Sequence, residues 1–348
     1  LALGAALRLD QFTVQVLLDD EWHAVHQILR RDPASLVFEL GHADFGIPLG
    51  LYDWALAQTV GLSETAMRLP MMLCGLATIV LLPLAVARRI GRAEALAFAL
   101  LLATSPLLVA YSQVARPYAI NVFLGWVAHW AFLRYWGGSA RAGAVYAFAT
   151  AFVVWMHMVM APFMLAPLAW AAWTIARERH DRRARLLRLA AIAVPTLAAI
   201  GLLLGPPLYF QLAAITGKSG FKALDLNTFR GAFHLWSGTS STAVAVGLFA
   251  LATIGAPAVW RAIPETRTGA LGLALTAAAL AISRPEWGEV PSVFGRYLMP
   301  IVARLLLATA VGAVTVGRAA CRRWRWPHAA VAGAAVASIL VAAATVAT

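Results

Sequence analysis

The chain has 348 residues, 61% hydrophobic and 13% charged, whereas a soluble domain carries about 25% charged residues. That composition excludes a protein with a water-facing surface all round. The formal net charge of +12 could suggest nucleic acid, but the cations fall in alternate loops between apolar blocks and not on one contiguous basic face, which excludes that reading.

Ten apolar blocks of roughly 16 to 22 residues have the length an α-helix needs to cross about 30 Å of hydrocarbon. They run over 69–87, 95–111, 118–136, 142–158, 159–176, 189–210, 241–260, 268–283, 297–317 and 328–347. The expected fold is therefore all-α: a polytopic transmembrane helical bundle of about ten full spans, one membrane domain over 1–348.

The stub LALGAAL at the start is too short to span and reads as the end of a truncated first helix. It lacks the charged n-region and small-residue cleavage site of a signal peptide. The last block runs to Thr348, which leaves room for a missing C-terminal part.

Segment 8–67 follows the stub and holds nine of the sixteen acidic residues. Within it DDEWHAVHQILR and IPLGLYDWALAQTV place apolar residues three and four apart, so both are expected to be amphipathic helices at the membrane interface, separated by turns at Pro33 and GHADFG. Asp19, Asp20 and Glu21 stand together just beyond the stub. Adjacent like charges raise one another's pKa, which suits a general base; the alternative is a solvated helix start favoured by the helix dipole. Asp19, His23 and His26, spaced by four and three, could hold a divalent metal, without matching a recognised ligand signature. His42 in GHADFG is a loop histidine.

Further along, basic residues recur after every second block: Arg88, Arg89 and Arg92; Arg134 and Arg141; six arginines between 177 and 188; then Arg261, Arg267, Arg318, Arg322, Arg323 and Arg325. These account for 17 of the 28 basic residues and mark those loops as cytoplasmic. The opposite side receives 8–67, 112–117, 211–240 and 284–296. There SQVARPYAI carries Arg116 and Tyr118, and VFGRYLMP carries Arg296 and Tyr297. An arginine so placed is costly unless it meets an anion, and its planar fork suits phosphate; the alternative is snorkelling to lipid phosphates. Lys218, Lys222 and Arg230 add positive charge in 211–240. Arg304 lies inside a span with no evident partner. The two cysteines, Cys74 in a span and Cys321 at a cytoplasmic helix end, imply no disulfide.

LLDDEWHAVHQILR, the stretch GHADFGIPLGLYDWALAQTVGLSETAMRLPMMLCGLAT, SPLLVAYSQVARPYAINVF and FGRYLMP together resemble the membrane glycosyltransferases of the GT-C fold. Among these the chain is most similar to bacterial relatives of the dolichyl-phosphate-mannose protein mannosyltransferases and of the lipid A aminoarabinose transferase. The matching elements, in order, are Asp20 with Glu21, His42, Pro48 with Leu49, Arg68 with Leu69 and Pro70, Ser105 with Pro106, and Arg116 with Tyr118.

The resemblance implies inverting transfer of a sugar from a polyprenyl-phosphate carrier to a glycan, lipid or protein acceptor, at the periplasmic face of the bacterial cytoplasmic membrane. It assigns Asp20 as general base, with Glu21 supporting it or placing the acceptor and Asp19 and His42 near the substrate. Arg116, Tyr118, Arg296 and Tyr297, with Lys218 or Lys222, would hold the donor phosphate. No cofactor is required by this branch, although oligosaccharyl relatives use a divalent cation. The third acid, Asp19, departs from the family pattern, and the choice of Asp20 rests on its directly preceding Glu21.

Two other classes share these features. A transporter or flippase of a polyprenyl-linked or phosphorylated substrate would need ionisable groups at mid-membrane, whereas the candidate functional charges here, Arg304 excepted, gather at the outer face. A member without activity, binding carrier lipid, would keep the same spans.

Overall fold

The computed structural model describes residues 1–13, 17, 19–30, 32–39, 46–178 and 181–324, and among them there is no strand. The helices are α1 (Ala2–Leu9), α2 (Asp19–Arg30), α3 (Pro33–Phe38), α4 (Ile47–Gln58), α5 (Glu64–Ile90), α6 (Arg92–Thr104), α7 (Pro106–Ala110), α8 (Tyr118–Trp136), α9 (Ala140–Met156), α10 (Ala161–Arg177), α11 (Arg182–Phe210), α12 (Leu212–Thr216), α13 (Leu226–Ser237), α14 (Thr242–Ala262), α15 (Glu265–Ser283), α16 (Pro291–Tyr297) and α17 (Pro300–Trp324). The block expected at 328–347, Arg325 and His42 lie outside the described residues.

Among the described residues six stretches are long and apolar enough to cross a membrane: Glu64–Ile90, Met158–Arg177, Arg182–Phe210, Thr242–Ala262, Glu265–Ser283 and Pro300–Cys321. This makes the protein an all-α, polytopic helical bundle, with fewer long spans among the described residues than the nine apolar blocks that fall there suggest. The block at 95–111 divides into α6 and α7 at Ser105–Pro106, because proline supplies no N–H to the helix ladder. The block at 142–158 is the shorter apolar helix α9. The block at 118–136 is α8, which carries Asn121, His129 and Arg134 among its apolar residues.

The helices alternate in direction, so the arginine-rich loops share one end of the bundle. Ion pairs tie that end together: Arg89 with Glu265 at 2.8 Å, joining α5 to α15, and Arg318 with Glu94, joining α17 to α6. Both glutamates are buried, and each lies in the first turn of its helix, where the helix dipole favours an anion. The first long segment forms three short helices at the opposite end. α2 coincides with the expected DDEWHAVHQILR helix and buries Glu21, Ala24, Val25 and Ile28, an i, i+3, i+4, i+7 face. At Pro33 a helix begins where a turn is expected: Asp32 caps α3 by accepting from the Ser35 N–H.

Close packing between spans relies on glycine. Where α14 crosses α17, a Cβ on Gly255 would meet the Ala308 carbonyl oxygen and one on Gly312 the Leu251 carbonyl oxygen. Such contact between backbones is how helices associate where the surroundings are as apolar as the side chains.

Prolines inside the bundle free carbonyls that must find donors, since a backbone carbonyl left without one in an apolar interior costs free energy. At Pro70, Pro106 and Pro167 a side chain supplies the donor. The Tyr52 hydroxyl donates to the Ala66 carbonyl, 2.8 Å, four residues before Pro70. Arg8 Nη2 donates to the Leu102 carbonyl, 2.9 Å, four before Pro106, and Nη1 to Ala103, 3.0 Å. His129 Nε2 donates to the Phe163 carbonyl, 3.1 Å, four before Pro167. Arg8 is wholly buried at the end of α1, and the exchange is mutual: Gln113 Nε2 donates to the Arg8 and Asp10 carbonyls at 2.9 and 2.8 Å.

Candidate active site

The site assembles at the end of the bundle away from the arginine-rich loops, where α2, the 111–117 turn, the start of α8, the α9–α10 turn and α16 meet. Glu21 is buried there. Its carboxylate accepts from Arg68 Nε at 2.9 Å and Nη2 at 2.6 Å, and from the Ala115 N–H at 2.6 Å, with both ionic side chains wholly buried. This two-pronged pair fastens α2 to α5 and to the turn that carries Arg116. Glu21 thus occupies a tethering position, which the sequence alone does not distinguish from a supporting catalytic one. Asp19 and Asp20 open α2, Asp20 directly before this anchor.

Arg116 follows the residue whose N–H Glu21 binds, and it is buried. Tyr118 begins α8. Arg296 comes from a distant part of the chain, at the end of α16, yet its guanidinium carbon lies 5.7 Å from the centre of the Tyr118 ring, within cation–π range. The two Arg–Tyr segments thus converge. Between them stands His157, in the turn after α9. Its ring centre is 5.5 Å from Tyr118, edge to face, and 5.6 Å from Tyr297. Its Nδ1 lies 2.9 Å from Asn121 Nδ2. Tyr111 closes the far side, 4.7 Å from Tyr118.

Burial, followed by the positive charges of Arg116 and Arg296, pulls the His157 imidazolium pKa down to about 3, so the ring is neutral at physiological pH. Both arginines thus lie near enough to the imidazole to oppose its protonation. From the sequence His157, like His129 and His234, reads as a packing or interfacial residue, and Asn121 and Tyr111 are not singled out: HMVMAP is the junction of two apolar blocks, and only the fold of α9 against α8 gives His157 its neighbours.

The two lysines lie in the segment between α12 and α13. Lys222 is exposed and lies 3.7 Å from the Asp225 carboxylate. Lys218 belongs to a strap whose backbone binds the 283–286 turn through Gly220 N–H to Ser283, Phe221 N–H to Arg284 and Glu286 N–H to Lys218. His23 and His26 lie on the face of α2 opposite its buried residues, with His26 6.0 Å from the Trp22 ring. Among the described residues no three His, Cys, Asp or Glu side chains gather as a metal site.

Arg304 is buried in α17, with its guanidinium 5.3 Å from the Trp126 ring and 5.0 Å from Phe163. One nitrogen donates to the Pro300 carbonyl at 3.0 Å. A Cβ at Gly269 would strike the guanidinium, so glycine there makes its room.

Residues 48–202 match the family model of the dolichyl-phosphate-mannose-protein mannosyltransferases. Over that segment, somewhat less than half of the chain, the sequence is similar to this family of membrane glycosyltransferases. No curated protein and no solved structure matches it. The matched segment runs from α4 into α11, so it contains Arg68, Arg116, Tyr118, Asn121 and His157. The Asp20–Glu21 step and the Arg296–Tyr297 pair lie outside it and join the site through the fold.

Proposed function

We propose that the protein transfers a sugar from a polyprenyl-phosphate donor to an acceptor at the membrane surface, with the Arg116–Arg296 end of the bundle facing the periplasm. The observation that carries this is the convergence of two arginines, from segments far apart in the chain, on one neutral histidine and two tyrosines. A pair of guanidinium groups so placed suits a phosphate whose carrier chain stays in the lipid. The family match supports a mannosyltransferase-like donor.

In this reading Arg116 and Arg296 hold the donor phosphate and take up the negative charge that grows on it as the glycosidic bond breaks. Electrostatic help of this kind acts where charge develops. Asp20 accepts the proton from the acceptor hydroxyl as that oxygen attacks the anomeric carbon with inversion. Glu21 acts as a positioning residue: bound to Arg68 and the Ala115 N–H, it fixes the distance between the start of α2 and Arg116. Lys218 and Lys222 belong to the rim, drawing anionic substrate toward the site.

The test is sugar transfer from radiolabelled polyprenyl-phosphate mannose by the purified full chain, compared with Asp20→Asn. Loss of transfer by at least about a hundredfold with donor binding retained supports the base. Undiminished transfer in Asp20→Asn overturns that assignment, and donor that binds without any transfer in either form points to a carrier-lipid binder or flippase.

A further inference from the structure

Two arginines account for the charge of the donor phosphate but leave the group between them without a role. His157 is held unusually firmly for a side chain at a helix–helix turn. Asn121 fixes its Nδ1, and the rings of Tyr118 and Tyr297 flank it at 5.5 and 5.6 Å. Each of those tyrosines belongs to one of the two Arg–Tyr segments. With the Asn121 amide donating to Nδ1, a neutral imidazole carries its proton on Nε2. Among the described residues nothing accepts that proton.

Resting on the reading of this end as the donor-phosphate site, we propose that His157 is a direct phosphate contact, its Nε2–H donating to a phosphate oxygen held by Arg116 and Arg296. The value of an uncharged donor lies in turnover. The sugar-linked phosphate is a diester with one negative charge, while the polyprenyl phosphate released after transfer is a monoester with more. A third cation would favour the product over the donor and slow its departure. A neutral N–H adds direction and one hydrogen bond without that bias, and the depressed basicity of the ring, caused by burial and by both arginines, keeps it uncharged across the physiological range.

The experiment measures binding of undecaprenyl phosphate to the full chain in lipid nanodiscs. Glutamine at 157 can present an N–H near the position of Nε2, and asparagine only near that of Nδ1. His157→Gln is expected to bind within about threefold of wild type and His157→Asn about tenfold or more weakly, as expected for loss of one hydrogen bond to a charged group. Equal binding by the two variants, or the reverse order, overturns the proposal.

Arg116→Gln and Arg296→Gln are measured beside them. If these weaken binding while the histidine variants do not differ, the phosphate site stands and His157 has no part in it; if they bind like wild type, the donor-phosphate reading itself fails. Should a histidine variant not fold, nitrogen NMR of the wild-type chain with labelled histidine decides. Undecaprenyl phosphate must shift the His157 Nε2 signal in its protonated form, and an unmoved signal overturns the contact.

Discussion

At the scale of single residues, burial decides which acid can do chemistry. Glu21 and Arg68 are both wholly enclosed, and a buried pair broken on one side leaves an uncompensated charge, at a cost of about 3–5 kcal/mol, whereas replacing both partners by apolar groups of similar size can be close to neutral. Arg68→Met is therefore expected to lower the thermal unfolding midpoint in detergent sharply, and Glu21→Leu with Arg68→Met to recover much of it. Equal losses in single and double variants would show that the pair is not the source of the stability. His157 gives a second residue-scale prediction. Its folded pKa is pulled from 6.5 to about 3, so below about pH 6.5 the unfolded chain binds the proton and the folded one does not. Stability must then fall as pH drops from 6.5 toward 3. Chemical unfolding of wild type and His157→Gln over that range checks it: the slope attributable to this group should vanish in the variant.

At the scale of elements, the prolines and their donors form pairs that neither partner announces. Ala66 loses its helical donor at Pro70 and receives the Tyr52 hydroxyl from α4 in its place. Tyr52→Phe should cost about 0.5–1.5 kcal/mol, and in a Pro70→Ala background, where the ladder N–H is restored, the same change should cost less. A double-mutant cycle on unfolding free energy measures the coupling; strict additivity would dissociate the tyrosine from the proline. His129→Leu should be more damaging, because both the Phe163 carbonyl and the Thr268 hydroxyl, 2.8 Å from Nδ1, lose a buried partner. Helix content, the α2 helix and the arginine-marked loops are legible in the sequence, since apolar length, three–four periodicity and loop charge are local signals. Pro70, Pro106 and Pro167 are equally visible, but their donors are not. Arg8 and Leu102 meet across most of the first hundred residues, and a buried arginine in a short stub looks like the first residue of a loop until α1 is seen docked on α6. The Arg–Tyr repetition at Arg116–Tyr118 and Arg296–Tyr297 points to the site from sequence, while His157 does not, because its role is created by side chains from α8 and α16.

At the scale of the whole molecule, charge and chemistry are separated along the helix axes. One end carries the arginine clusters, ordered by pairs such as Arg89–Glu265 and by stacking of Arg177 over Trp173 at 4.1 Å; the other carries the acids of the first segment and the Arg–Tyr cluster. Positive charge retained on the cytoplasmic side sets the orientation of short loops, so the cluster and α2 are expected on the outside of the membrane. Single cysteines test this in a background lacking Cys74 and Cys321. Ser219→Cys lies on the exposed strap at the cluster end, and Ser139→Cys in the turn between α8 and α9 at the arginine-rich end. In intact cells a membrane-impermeant maleimide should label Ser219→Cys and leave Ser139→Cys unmodified until the membrane is opened. The reverse pattern would place Arg116 and Arg296 on the cytoplasmic side, where nucleotide-activated sugars are available, and the choice of a polyprenyl-phosphate donor would then lose its physical basis.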